Sequence, residues 1–436
     1  MELLTMTLAL PATVKIGTVF LLILVFNRVG IPLSWSIVIN AVILGIWTDG
    51  AISASLRWQL QVLSGAESIM LALAIVLLLF FTESLNQSGR MERTIHSLKA
   101  TFKNPKLLLA GLPALVGLLP MPGGAIFSAP MVESLDDGKL MHGTLKTAVN
   151  YWFRHIWEYW WPLYPGVILA MKYSGLPVPL FIAIQAPLTL FAVTGGTLFI
   201  LSHVKTRKVT LTRTPVSGDA AAALVPIGIL VACALAGSYI LPRFSITGSL
   251  ASLCAMIFGL VLSLSIVFIS SPASFPRSLG IFKKQPIWDF VVLVIGVTLF
   301  SAALKRPLSS IDVTLVGVMR DEFIRFGIPL TAVMIAVPFI SGMVTGVAMG
   351  FVGASFPLVF ALIGPHPVFR DIAALTVLAY GSGYIGMMLS PIHICFVVTN
   401  EYFKSNLLAA YRYVLPAAGV VALGVAACTI LYRGIF

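Results

Sequence analysis

Residues 150–166, NYWFRHIWEYWWPLYPG, decide how the rest of the chain is read. The run is apolar and dense in aromatic side chains, as a membrane span with interface anchors would be. Yet it carries Arg154, His155 and Glu158, and Pro162 and Pro165 interrupt it. A charge at bilayer depth costs at least about 2.5–3.5 kcal/mol, so such a group faces a cavity or a partner. Backbone freed by a helix break is tolerated at that depth only inside protein or beside a cavity. Charges and a break in one run point to the wall of a binding site.

Composition extends that reading to the whole chain. Of 436 residues, 58% are hydrophobic and only 10% charged, against about 25% charged in a soluble domain. Apolar runs long enough to cross about 30 Å of hydrocarbon recur from end to end. The sequence therefore predicts an all-α polytopic membrane protein. The net charge of +12 comes from 28 Lys and Arg, which sit largely in short loops, as cytoplasmic anchoring requires. Nucleic acid is not an expected partner. Cys233, Cys254, Cys395 and Cys428 lie in apolar runs without paired spacing. They read as small core residues, with no metal ligands or cofactor expected. The first apolar run lacks a cleavage signature and reads as a retained helix.

Taken in order, spans are expected at 8–27, 31–47 and 67–85, then a basic segment at 86–106. The run 107–132 is apolar but interrupted at Pro120-Met121-Pro122-Gly123-Gly124. Proline removes a helix donor and glycine permits unusual dihedrals, so this reads as a re-entrant hairpin around a tip. The 150–166 element and a span at 176–203 follow. The segment 204–217, VKTRKVTLTRTPVS, carries four basic residues and no acid and reads as a cytoplasmic linker. Spans are then expected at 219–241, 246–270 and 287–304. After a polar segment at 305–325, the apolar run 327–363 is interrupted at Ser341-Gly342-Met343-Val344-Thr345-Gly346. A broken span at 371–400 and a last one at 407–433 complete the chain.

The two halves follow one plan. Ser128–Val132 (SAPMV) matches Ser355–Val359 (SFPLV), 227 residues on. The 150–166 element matches 229 residues on: Thr147 with Thr376, Tyr151 with Tyr380, Ile156 with Ile385 and Pro162 with Pro391. The organisation expected is a first repeat at 1–203, the linker at 204–217 and a second repeat at 218–436. Five spans plus one re-entrant hairpin in each half make the repeats inverted. With the linker in the cytoplasm, the basic segments 86–106 and 271–286 also fall inside; 305–325 falls outside despite its four basic residues.

Inverted repeats with paired broken helices are the sequence pointer to a secondary transporter. Half-helix N-termini suit anions, and unwound carbonyls suit Na⁺ or hydroxyls. The expected substrate-binding residues are Pro120, Met121, Pro122, Gly123, Gly124, Ser128, Asn150, Arg154, Ser341, Gly342, Thr345, Gly346, Ser355, Ser390 and Pro391. His155, Glu158 and His393 are the expected proton or ion carriers, since histidine titrates near physiological pH. Each has a plainer reading: an Arg154–Glu158 pair four residues apart on one helix face, a hydrogen-bonded histidine, or hydroxyls bonded back to their own helix. The positions matching Arg154, His155 and Glu158 are Gly383, Tyr384 and Met387, so the charges are not a requirement of the repeat.

The motifs GLLPMPGGAIFSAPMV, NYWFRHIWEYWWPLYPG and IGMMLSPIHIC resemble those of the integral membrane proteins grouped as domain of unknown function family 401. That family is distantly similar to gluconate permeases, within the ion transporter superfamily. The resemblance implies scaffold and transport parts, elevator motion, and a site at the hairpin tips and broken helices. The superfamily's dicarboxylate carriers use Ser-Asn-Thr tips; MPGG and SGMVTG stand here instead, so their substrate and Na⁺ sites do not carry over.

The reading is a secondary active transporter, not an enzyme, taking a small organic anion (a carboxylate or sugar acid) with H⁺ or Na⁺. It is expected in the cytoplasmic membrane of a prokaryote, and a homodimer is compatible with the sequence. A cation/proton antiporter on the same scaffold is the alternative. An intramembrane enzyme built on Ser128 and His155 is disfavoured, because the sequence shows no nucleophile motif and no paired aspartates for isoprenoid chemistry.

Overall fold

The computed structural model describes residues 10–49, 51–90, 92–94, 104–119, 124–136, 140–205, 224–308, 311–364 and 367–435. Pro120, Met121, Pro122 and Gly123 of the expected first tip lie outside the described residues, as does the linker beyond Lys205.

Helices dominate, and among the described residues six are long and apolar enough to cross a membrane. The first half runs α1 (Ala12–Arg28), α2 (Leu33–Asp49), α3 (Ile52–Leu63), α4 (Ala66–Gln87), α5 (Pro105–Gly117), α6 (Ala125–Ser134), α7 (Gly143–Arg154), α8 (Pro165–Ser174) and α9 (Val178–Phe199). The second runs α10 (Leu224–Ile240), α11 (Gly248–Ser270), α12 (Ser274–Ser278), α13 (Gln285–Lys305), α14 (Leu315–Arg325), α15 (Leu330–Thr345), α16 (Ala348–Ala361), α17 (Phe369–Met388), α18 (Ile394–Tyr402) and α19 (Leu407–Ile435). The chain is an integral membrane protein. Four helices (α1–α4) open the first half and five (α10–α14) the second; each half then continues with a hairpin of two packed helices (α5/α6; α15/α16), a broken helix (α7/α8; α17/α18) and a closing helix.

Local chemistry sets the element boundaries. Asn104 caps α5, its side chain accepting from the Lys106 and Leu107 amides, with Pro105 in the first turn. Pro165 opens α8 in the same way. Gly346 ends α15 with φ 64°, a left-handed conformation that favours glycine. Two segments depart from expectation. Residues 52–63 form a helix with Ser55, Trp58 and Gln59 turned inward. The polar segment 305–325 is not a plain loop: Pro307–Leu308 pairs antiparallel with Ile311–Thr314, and α14 follows, bent by 120° from α15. Its Glu322 carboxylate accepts from the Ala12 and Thr13 amides (3.0 and 2.8 Å), capping α1.

Packing sorts the helices into two groups. α2 packs on α13, α4 on α11 and α13, and α10 on α11. The hairpins, broken helices and closing helices form the other group: α5 and α6 on α7, α15 on α17, α17 on α19, α9 on α19. Across the halves, α6 packs on α18 and α8 on α16.

Three contacts between hairpin and broken helix recur at matched positions. A Cβ at Gly117 would run into the Arg154 carbonyl, and one at Gly342 into the Gly383 carbonyl. Trp157 Nε1 donates to the Ala114 carbonyl, while Gly386 lies against the Phe339 carbonyl. Trp161 Nε1 donates to the Leu118 carbonyl (2.9 Å), and Ser390 Oγ to the Met343 carbonyl (2.7 Å). In all three, the second pair lies 225 residues on along the hairpin and 229 along the broken helix.

Candidate functional site

The first break runs over 155–164, between α7 and α8. The second runs over 389–393, between α17 and α18. They are stitched together by tyrosines at matched positions. Tyr151 donates to the Met388 carbonyl (3.0 Å), and Tyr380 to the Glu158 carbonyl (2.6 Å). Tyr384 donates to the His155 carbonyl (3.0 Å), and the Tyr164 hydroxyl to the Gly117 carbonyl. The first three satisfy carbonyls at the breaks, as a buried break requires; the fourth ties the first break to the end of α5.

Between the breaks lies a cavity of about 200 Å³, about the volume of six or seven liquid waters. Its polar lining comes from Arg154, His155, Glu158, Tyr164, His393 and Cys395. Leu79 of α4 and Phe290 of α13 close it from the other helix group. Three half-helices begin on it: α8 at Tyr164–Pro165, α16 at Val347–Ala348 and α18 at His393–Ile394. A fourth, α6, begins at Gly124, against which the Arg154 guanidinium packs; a Cβ there would collide with it. Helix N-termini carry partial positive charge and amides without intrahelical acceptors. Together with Arg154 they make the cavity electropositive around one carboxylate.

Arg154 is 2% exposed and Glu158 6%, so neither snorkels to an interface. Arg154 and Glu158 do not share one helix face as expected, because α7 ends at Arg154 and Glu158 lies in the turns beyond it. Arg154 Nη1 instead donates to Cys395 Sγ (3.3 Å). Glu158 Oε1 stands 3.9 Å from His155 Nε2. His155 Nδ1 lies 2.6 Å from the Tyr151 carbonyl, which can only accept, so Nδ1 carries the proton. In neutral His155 the Nε2 lone pair is then free to accept from His393 Nε2, 3.1 Å away. Guanidinium, carboxylate and two imidazoles thus share one buried site that can hold an anion and relay a proton.

Of the residues expected from sequence, Arg154, His155, Glu158, Gly346 and His393 line the cavity, and Gly124 touches Arg154. The hydroxyls do not converge on it. Ser128, Ser341, Thr345, Ser355 and Ser390 bond to the carbonyls of Ala125, Val337, Ser341, Phe351 and Met343. Asn150 Nδ2 bonds the Ala125 carbonyl and Thr399 Oγ1, joining α7, α6 and α18. Gly342 packs on α17 through the Gly383 carbonyl, and Pro391 is exposed. Among the polar lining residues, sequence reasoning missed Tyr164 and Cys395, the latter read as a core residue. At the offset of 229, Cys395 matches Gly166 and His393 matches Tyr164, so the sequence departs from the repeat at the end of the second break and the start of α18.

No curated protein matches this sequence. Among solved structures, the YdaH transporter of Alcanivorax borkumensis, whose crystal structure revealed an unusual topology, shares the fold. It is 12% identical, with a TM-score of 0.51 over 87% of this chain and 88% of that one. A family model, described as protein of unknown function (DUF401), matches residues 9–432. Spanning nearly every element from α1 to α19, that match establishes that the chain belongs to the DUF401 family.

Proposed function

We propose that the protein is a secondary active transporter of a small organic anion, a carboxylate or a sugar acid, and not an enzyme. One observation carries the reading: three half-helix N-termini converge on a cavity of about 200 Å³ between two broken helices, together with the buried Arg154, which packs on the start of a fourth. The likeness in fold to a protein called a transporter supports it. In this reading the substrate's carboxylate lies between Arg154 and the N-termini of α8, α16 and α18. His155, Glu158 and His393 carry the coupling proton; Na⁺, held by the carbonyls of the breaks, is the other coupling ion considered.

The halves are read as inverted repeats of five spans plus a re-entrant hairpin, within the ion transporter superfamily. The hairpin and broken-helix group moves as the transport part against the α1–α4 and α10–α13 scaffold. The cavity lies where these groups meet, since Leu79 and Phe290 belong to the scaffold. The membrane is read as the cytoplasmic membrane of a prokaryote, with 204–217 in the cytoplasm. The titratable trio favours one second reading, a cation/proton antiporter without organic cargo.

The test is a thermal-shift screen of purified protein against carboxylates and sugar acids, with and without Na⁺. A cognate anion raises the melting temperature by mass action, by about 2.7 kcal/mol of stabilisation at one hundred times Kd, and Arg154→Ala loses the shift. Dissipation of a pH gradient by Na⁺ with no shift from any anion would favour the antiporter.

A further inference from the structure

The same cavity holds a constellation that anion binding does not use. Nε2 of His155 and Nε2 of His393 face each other at 3.1 Å. With Cys395 Sγ, these ligand atoms all lie within 4.8 Å of one another, and all three residues are buried. Sequence spacing conceals the trio, because the histidines are 238 residues apart. The geometry points to a transition-metal site: His155, His393 and Cys395 bind a borderline-soft divalent cation of the Zn²⁺ class, with Glu158 in reach as a fourth ligand.

Four features support this. In a tetrahedral zinc site with bonds of about 2.0 Å to nitrogen and 2.3 Å to sulfur, ligand atoms stand about 3.3–3.6 Å apart. The two imidazoles, 3.1 Å apart, already have nearly that separation, and with the trio's ligand atoms all within 4.8 Å of one another the thiol needs only a short inward swing. His155 is oriented as metal-bound imidazoles are, its Nδ1 proton given to the Tyr151 carbonyl and its Nε2 lone pair left for the ion. The Glu158 carboxylate, 3.9 Å from His155 Nε2, stands beside the trio, so an inward move would bring it to a fourth position. Arg154 Nη1, 3.3 Å from Cys395 Sγ, compensates the thiolate charge that coordination creates.

Binding is balanced as follows. The thiol gives its proton to solvent and Sγ takes the metal. His393 moves its proton from Nε2 to Nδ1, so that both Nε2 lone pairs meet the ion. The sulfur and two nitrogens select against Mg²⁺ and Ca²⁺, which take oxygen ligands. The assignment does not depend on the transport reading, because the ion binds without organic anion.

The test titrates the purified, metal-free full chain in detergent with Co²⁺, then displaces it with Zn²⁺. One equivalent should bind, with visible bands of tetrahedral Co²⁺ and a thiolate-to-cobalt charge-transfer band. A chain carrying Cys233→Ala, Cys254→Ala and Cys428→Ala should keep that band. Cys395→Ser should lose the band, and His393→Gln should weaken Zn²⁺ binding by more than about 100-fold, beyond the loss caused by removing an outer-shell partner. The site is overturned if the wild-type protein binds no stoichiometric Co²⁺, or if the charge-transfer band survives in folded Cys395→Ser. Should Cys395→Ser fail to fold, the presence or absence of the band in the triple-alanine chain decides. Failure here, with anion-induced stabilisation intact, would leave the proposed transport standing.

Discussion

The two breaks, 155–164 and 389–393, share a backbone environment and differ in chemistry. Each is held by its own hairpin through the same three contacts, and each receives a tyrosine from the other half. The side chains part company inside that frame. Arg154, His155 and Glu158 face Gly383, Tyr384 and Met387 at the matched positions, and His393 and Cys395 face Tyr164 and Gly166. Contacts common to both breaks are what the fold needs. Residues found in only one are free of that duty, and they line the cavity. The site is therefore a composite, three groups from one break and two from the other, brought together by the packing of the halves.

The largest effects are expected at the glycines that seat each hairpin on its broken helix. Gly117→Val and Gly342→Val each drive a side chain into a carbonyl of the neighbouring helix, where overpacking costs about 1–3 kcal/mol and sometimes more. Both should lower the folded yield and the detergent melting temperature to similar extents. A tolerated valine at one position only would show that the matched contacts are not equivalent. A smaller effect is expected from Tyr151→Phe and Tyr380→Phe, each removing one bond between the halves and leaving a buried carbonyl unsatisfied, at about 1–3 kcal/mol. Similar losses in chemical-denaturation midpoints would sharpen the pairing; a neutral result for either would blunt it. Least of all, Trp161→Phe and Ser390→Ala should each cost about 0.5–1.5 kcal/mol, the net worth of one hydrogen bond. A much larger loss at Trp161 would mean that indole packing, not the shared bond, secures the first break.

Much of this plan was legible in the sequence because helix breaks and repeats leave local marks. Pro162 and Pro391, the SAPMV and SFPLV segments and the charges in an apolar run gave the order of elements and named five of the cavity's residues. Long-range convergence left no such mark. That His155 meets His393, or that Arg154 reaches Cys395, depends on how the halves pack. Cys395 looked like any small apolar residue for that reason. The candidate hydroxyls misled in the opposite direction. In a helix within a bilayer, a serine finds its nearest acceptor one turn back on its own backbone, and Ser341, Ser355 and Thr345 do so. The Arg154–Glu158 pair presupposed a helix continuing through 158, and the break begins at 155.

In the proposed function, the cavity between the breaks is a transport site whose fixed positive charge is Arg154. Uptake into proteoliposomes tests it most directly, using the anion that gives the largest thermal shift and equal amounts of folded wild type, Arg154→Lys and Arg154→Ala. The account predicts accumulation by the wild type, reduced accumulation by Arg154→Lys, which keeps charge without the planar fork, and none above empty liposomes by Arg154→Ala. Uptake by folded Arg154→Ala at the wild-type rate would contradict it.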